Sequence, residues 1–424
     1  MQSASTSRVI AAGMIGNALE WYDFAVYGYF AVAIGHQFFP EADPTAQLLA
    51  TFGVFALGYL MRPIGGVIVG HLGDRYGRRM ALTVSIAAMA IPTFLIGLLP
   101  GYQTLGIAAP LLFTLLRMLQ GLSVGGEYPS SLVFLVERAP DGRRGVAGAF
   151  APFAGCCGIL LGSAVAAGFA NAMSAQALDS WGWRIPFLLG LAVGLVGVVI
   201  RRQLSDVAAV EHRQRPPIAE TLRDHWRLVV QFAALSAFNA VGFYISFVYV
   251  ATWLQMVDRF SAARALEINT ISMVVLLPVM LAAGWITDRV GRKPLLVTAT
   301  VAAIFVGVPM FLLMEHPVAV LALLGQIGLT VVVGTFIGGA SPALVEAAPA
   351  RVRCTAVALG YNTTLGIVGG MTPLVATWLV QRTGDELAPG FLIMAAAAVS
   401  LIAVFSLGET YRKPIGAVPL PQPG

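Results

Sequence analysis

The feature that most constrains this chain is a succession of apolar runs of about twenty residues, such as 317–345 and 391–408. A run of that length matches the thickness of a bilayer core when wound as a helix. Lipid offers the backbone no hydrogen-bond partners, so only helices or closed barrels cross it. Barrel strands alternate polar and apolar residues over about ten positions. These runs are continuous, so they predict helices. Composition agrees: 58% of the 424 residues are hydrophobic and 11% charged, where a soluble domain carries about 25% charge.

Apolar windows near 10–36, 46–71, 80–99, 104–136, 145–171, 184–201, 227–256, 266–287, 294–313, 317–345, 354–381 and 390–408 predict about twelve spans. The first is expected to be a retained helix rather than a cleaved leader, because Glu20 and Asp23 interrupt it. Of the 26 Lys and Arg residues, twenty fall in one set of loops, four in the opposite set, and Arg62 and Arg117 within spans. The basic side is expected to be cytoplasmic. Both termini then lie inside, on the inner membrane of a bacterium. The net charge of +5 is thus explained by topology and not by nucleic-acid binding.

The longest polar stretch, 203–226, falls mid-chain and predicts a cytoplasmic linker between six-helix bundles at 1–202 and 227–424. The halves echo each other. Gly70-His71-Leu72-Gly73-Asp74-Arg75-Tyr76-Gly77-Arg78-Arg79 returns as Gly284-Trp285-Ile286-Thr287-Asp288-Arg289-Val290-Gly291-Arg292-Lys293. Leu135-Val136-Glu137 with Arg144 returns as Leu344-Val345-Glu346 with Arg353. Parallel six-helix repeats build one large class of secondary transporters. The expected fold class is therefore all-α: a polytopic membrane protein of twelve helices in two pseudo-repeat bundles.

The doubled G-x-x-x-D-R-x-G-R-[RK] motif resembles the signature loop of the major facilitator superfamily. Within it, Gly16-Asn17-Ala18-Leu19-Glu20-Trp21-Tyr22-Asp23-Phe24, Met61-Arg62-Pro63-Ile64-Gly65-Gly66, Gln120-Gly121-Leu122-Ser123-Val124-Gly125-Gly126-Glu127-Tyr128 and Trp181-Gly182-Trp183-Arg184-Ile185-Pro186-Phe187 resemble the metabolite:proton symporter family. The resemblance spans the whole chain and is densest before residue 190. It implies import of a solute with protons by alternating access. Family members carry proline and betaine, α-ketoglutarate, citrate or shikimate.

Ionisable residues inside membrane spans are functional candidates. Here they are Glu20, Asp23, Arg62, Arg117 and Glu127, all in the first half. Arg117, Gln120, Val124 and Glu127 share one helix face. A carboxylate in a low dielectric takes up a proton near neutral pH, so Asp23, Glu127 and Glu20 are proton-coupling candidates; Arg117 joins them because its R-x-x-Q-G setting resembles a superfamily motif associated with proton coupling. Arg62, beside Pro63, is read as structural. Substrate contacts are expected from Arg117, Gln120, Tyr27 and Phe24, with Asn239, Tyr244, Tyr361 and Asn362 from the second half. Phe24, Tyr27 and Tyr244 are candidates to cage a quaternary ammonium. Asp74, Arg75, Arg78, Asp288, Arg289 and Arg292 are expected to form inner gates, the aspartates accepting hydrogen bonds from arginine or from a helix N-terminus.

Cys156, Cys157 and Cys354 have no metal spacing and read as small buried residues. No P-loop, Rossmann, H-E-x-x-H or nucleophile-elbow pattern occurs. Neither an enzyme nor an ATP-driven pump is expected, nor any metal or cofactor. The partners expected are a small solute, protons and the lipid bilayer, for a chain that works as a monomer. A balance of Arg117 and Arg62 against Asp23 and Glu127 suits a zwitterion or a singly charged acid, and the wording of the first span and of Gly408-Glu409-Thr410 resembles that of proline/betaine carriers, which makes a zwitterion such as proline or betaine the expected solute. A di- or tricarboxylate remains the alternative, and a sensor that keeps the fold without transport a third reading.

Overall fold

The computed structural model describes residues 6–39, 50–51, 53–54, 57–202, 217–256 and 260–415, and among them every regular element is helical. Ten of the described helices are long and apolar enough to cross a membrane. They follow the apolar windows closely: 80–99 is realised as Arg78–Leu98, 145–171 as Arg144–Ala172, and 317–345 as Ala319–Glu346. In the first half, the windows 10–36 and 46–71 depart from single uninterrupted spans. The first is broken at Phe30 into α1 (Thr6–Tyr29) and α2 (Ala31–Phe38). The second window, 46–71, lies partly outside the described residues, and its end belongs to α3, Arg62–Tyr76, which Pro63 helps to start.

The chain divides into two compact units, Met1–Phe134 with Ala154–Pro216, and Leu135–Phe153 with Pro217–Gly424. The cytoplasmic-side ends expected in the first bundle, 135–153, are thus grouped with the second. In the first unit α3, α4 (Arg78–Leu98), α5 (Ala108–Glu137) and α7 (Arg184–Arg202) pack with α1. Its core holds Tyr27, Phe38, Phe113, Trp183 and Phe187, all fully buried. α6, Arg144–Ala172, is shared between the units. Of the expected linker, 203–216 lies outside the described residues, while Pro217–Asp224 is helical (α8).

The second unit contains α9 (Trp226–Tyr244), α10 (Ala262–Val290), α11 (Arg292–Met314), α12 (Ala319–Glu346), α13 (Arg353–Thr363) and α14 (Ala388–Ser406). Single π-turns at Ile245–Tyr249 and Thr364–Gly369 interrupt the spans that α9 and α13 begin. Such turns free backbone groups and concentrate at functional places.

Glycine sets the closest helix crossings. A Cβ on Gly125 would meet the Gly66 nitrogen at 2.6 Å and one on Gly65 the Leu122 backbone at 2.5 Å, so the paired glycines of both motifs let α3 and α5 touch at the backbone. Gly77 and Gly291 do something different. Each is the one-residue turn of a signature motif, with φ of 98° and 102°, a conformation that strains any side chain. The motif aspartates, Asp74 and Asp288, therefore sit on the last turn of a helix, and the bend comes three residues later.

Candidate functional site

The intramembrane ions of the first unit form one buried cluster. Asp23, on α1, accepts a hydrogen bond from Arg117 Nη1 of α5 at 2.5 Å through Oδ2. Its Oδ1 accepts from Gln120 Nε2 at 3.0 Å and from Thr93 Oγ1, on α4, at 3.1 Å. Gln120 Nε2 also donates to Thr93 Oγ1 at 2.7 Å, and Gln120 Oε1 accepts from Arg117 Nη1 at 2.5 Å. The guanidinium stacks on Tyr27, 3.8 Å from the ring centroid, and the Tyr27 hydroxyl donates to the Thr51 carbonyl at 2.7 Å. Arg117 is 4% exposed and Asp23 1%, so each charge depends on the other for compensation. Arg117 Nη2 is buried and has no hydrogen-bond partner among the described residues.

One helical turn away, Glu20 Oε1 faces Arg62 Nη2 at 3.6 Å. Arg62 lies over the rings of Tyr59, Phe24 and Trp21, at 4.1, 5.1 and 5.6 Å. Glu127 is buried on α5, and Glu20 lies within electrostatic reach of Arg62, Glu127 and Asp23. Arg62, read from sequence as structural, is thus joined to the ionisable cluster. Of the residues expected to cage a quaternary ammonium, Tyr27 and Phe24 each present one face to an arginine, Arg117 and Arg62 respectively.

The expected second-half contacts lie on α9 and α13, which pack together. Tyr244, Tyr361 and Asn362 are buried and Asn239 is half-buried. Tyr244 packs against Gly369, where a Cβ would come within 2.8 Å of the ring. Gln326, on α12, donates to the Ser246 carbonyl inside the π-turn of the α9 span.

A second ionic cluster occupies the second unit. Asp288 accepts from the backbone N–H groups of Gly145 and Val146, at 2.7 and 3.0 Å, and so caps the N-terminus of α6. Arg292 Nη1 donates to Asp288 at 2.9 Å, and its Nη2 and Nε donate to Glu346 at 2.8 and 3.0 Å. Arg353 pairs with Glu137 at 2.6 Å. Glu409 accepts from the amides of Arg292 and Lys293, at 3.2 and 2.9 Å, capping α11. Thr410 Oγ1 donates to Glu346 at 2.6 Å. The expected gate residues are therefore divided. Asp288 and Arg292 are bound into this cluster and Asp74 is buried. Arg289 and Arg75 do not join them. Both are exposed and lie over aromatic neighbours on their own helix, Trp285 at 3.3 Å and Tyr76 at 5.4 Å. Arg78 opens α4, and its side chain lies outside the described residues.

The description of the Major Facilitator Superfamily matches residues 13–372. The chain belongs to the major facilitator superfamily. Among curated members, a glycine betaine/proline/ectoine/pipecolic acid transporter, OusA, of Dickeya dadantii (strain 3937) is 36% identical over 97% of this chain and 85% of its own length. Proline/betaine transporters of Escherichia coli K12 and Salmonella typhimurium are each 34% identical with the same coverage. These relatives are transporters, not enzymes. Among solved superfamily structures, the proton:xylose symporter XylE bound to 6-bromo-6-deoxy-D-glucose superposes with a TM-score of 0.80 at 18% identity, covering 97% of this chain and 98% of that one. FucP in the outward conformation gives 0.66 at 14% identity. The superfamily fold makes this a multi-pass membrane protein.

Within the superfamily frame, four participants escaped the sequence reading. Thr93 sits in an apolar run where threonine commonly bonds its own helix. Glu346 and Arg353 were visible as a repeat of Glu137 and Arg144, without a sign of which would pair. Glu409 was visible only as part of a family-like Gly-Glu-Thr.

Proposed function

We propose that this protein is a proton-coupled importer of a small zwitterion of the proline or betaine type, working by alternating access in a bacterial cytoplasmic membrane with both termini inside. The observation that carries the reading is the buried Asp23–Arg117 pair, with Arg117 Nη2 left unsatisfied beside it. An ionised Asp23 holds the guanidinium. A protonated Asp23 loses its charge, and Arg117 then requires another anion, because a buried unpaired charge is costly. The carboxylate of the solute meets that requirement at Nη2. Proton and solute thus favour each other's binding, and loss of the proton returns Arg117 to Asp23 and ejects the solute. This reciprocal linkage is the thermodynamic basis of symport.

Charge supports the zwitterion. The cluster holds Glu20, Asp23 and Glu127 beside Arg62 and Arg117, so a di- or tricarboxylate would add to a site that already holds more acids than bases. The names of the curated relatives point the same way. Asp288 and Arg292 serve as the inner gate in this reading, working with Glu346 and Glu409, and the protein acts as a monomer.

The test is uptake in proteoliposomes under an imposed pH gradient, using labelled proline, betaine, α-ketoglutarate and citrate, with Asp23→Asn and Glu127→Gln beside the wild type. Gradient-driven uptake of proline or betaine, lost in Asp23→Asn, is expected. Uptake of citrate or α-ketoglutarate alone overturns the substrate class. No uptake of any solute by folded protein favours the sensor.

A further inference from the structure

The three side-chain partners of Asp23 differ chemically. Arg117 and the amide nitrogen of Gln120 carry donors only at the atoms that face it. Both suit an ionised carboxylate, and neither can receive the hydrogen of a protonated one. The Gln120 oxygen is occupied by Arg117 Nη1 at 2.5 Å. Thr93 is different, because a hydroxyl donates one hydrogen and accepts on two lone pairs. Its single hydrogen has two acceptors within reach, Asp23 Oδ1 at 3.1 Å and the Met89 carbonyl at 2.8 Å, while Gln120 Nε2 donates to its oxygen at 2.7 Å.

We propose that Thr93 is a positioning residue for proton coupling: its hydroxyl donates to the ionised Asp23, and turns to the Met89 carbonyl to accept the hydrogen of the protonated one. The inference rests on Asp23 being the proton carrier. For Thr93 itself the change needs only rotation about one C–O bond. Thr93 is fully buried, and its methyl group faces Gly190, where a Cβ would come within 2.8 Å. The Cα position, the methyl contact and the Met89 bond together hold the oxygen where Asp23 reaches it.

The other ionisable groups around this network are Glu20, Tyr22 and Tyr27 on α1, Arg62 on α3, and Arg117 and Glu127 on α5. The stretches of α4 and α7 that flank it, 84–96 and 186–199, contain none. Removing the hydroxyl takes one of three donors from the ionised Asp23. It takes the one available acceptor from the protonated form. Protonation is therefore the step that suffers, and coupling should demand a more acidic outside.

The experiment measures gradient-driven proline and betaine uptake against external pH in proteoliposomes for wild type, Thr93→Val, Thr93→Ser and Asp23→Asn. Solute exchange without a gradient serves as the measure of folded protein. Thr93→Val is expected to move the profile toward acid by less than about one unit, the difference between the sole acceptor lost to the protonated form and one of three donors lost to the ionised form. Thr93→Ser should restore it. If Thr93→Val shows no exchange, Thr93→Ala, which relieves the contact with Gly190, is read in its place. An unmoved profile, with Asp23→Asn inactive under the gradient, overturns the role of Thr93 and leaves Asp23 as proton carrier. Full gradient-driven uptake by Asp23→Asn overturns both.

Discussion

Replacing Asp288 by Asn probes the ionic cluster of the second unit with almost no change of shape. The carboxylate accepts from two backbone amides of α6 and from Arg292. In Asn one oxygen survives, and an NH2 group faces the Val146 N–H, donor against donor. A hydrogen bond to a charged acceptor is worth about 1.5–3 kcal/mol, and a charge at a partly buried helix N-terminus about 0.3–2 kcal/mol. The contacts do not add fully, so the loss is about 2–4 kcal/mol. At 1.4 kcal/mol per decade, that raises the population in which this cluster is open by about 30- to 700-fold. Cys354 reports it. Its side chain is fully buried beside Arg353, whose guanidinium holds Glu137 and the Val345 and Ala348 carbonyls. With Cys156 and Cys157 replaced by Ala, a maleimide reaches Cys354 only when the assembly loosens, so its labelling rate should rise by the same factor. Arg289→Ala, which alters an exposed residue outside the cluster, should leave the rate within about threefold. A rate unchanged within about twofold in Asp288→Asn would refute the reasoning.

Arg117→Lys keeps the charge but loses the planar fork and the stacking on Tyr27; uptake should fall about tenfold or more at saturating gradient. Arg353→Met takes from Glu137 its 2.6 Å guanidinium partner, a loss of up to about 3–5 kcal/mol, to be seen as a lower yield of monodisperse protein that Glu137→Gln partly restores. Glu409→Ala removes the cap from α11, about 1 kcal/mol, and should lower the thermal midpoint of purified protein with little loss of solute binding. Gly125→Ala forces α3 and α5 apart, about 1–3 kcal/mol, and both folded yield and uptake should fall.

The helices were legible because lipid imposes length and apolarity directly, and the windows locate most of them to within a few residues. The break at Phe30 was not, since Gly28, two residues before it, is no more conspicuous than the many other glycines of the spans. Individual members of the site were legible by the same logic, an ion in a span being conspicuous. Their pairing was not: Asp23 and Arg117 stand 94 residues apart, and nothing local in either helix names the other. Phe24 and Tyr27 show a related gap: an aromatic beside an ion invites a ligand, and nothing in the sequence says that one face of each ring meets an arginine of the chain itself. Thr93 was hidden by ordinariness, as threonines back-bonded to their own helix are common in apolar spans.

The composition of the second ionic cluster carries a consequence for how the protein is made. Glu137 and the amino end of α6 leave the ribosome well before Asp288, Arg292 and Arg353 have been synthesised. Until then the nascent first half carries a carboxylate and two backbone amides that lack their eventual partners. A chain arrested between the halves is therefore chemically marked as unfinished at one end of its helices, and two halves expressed as separate polypeptides have a ready-made set of complementary charges by which to find each other.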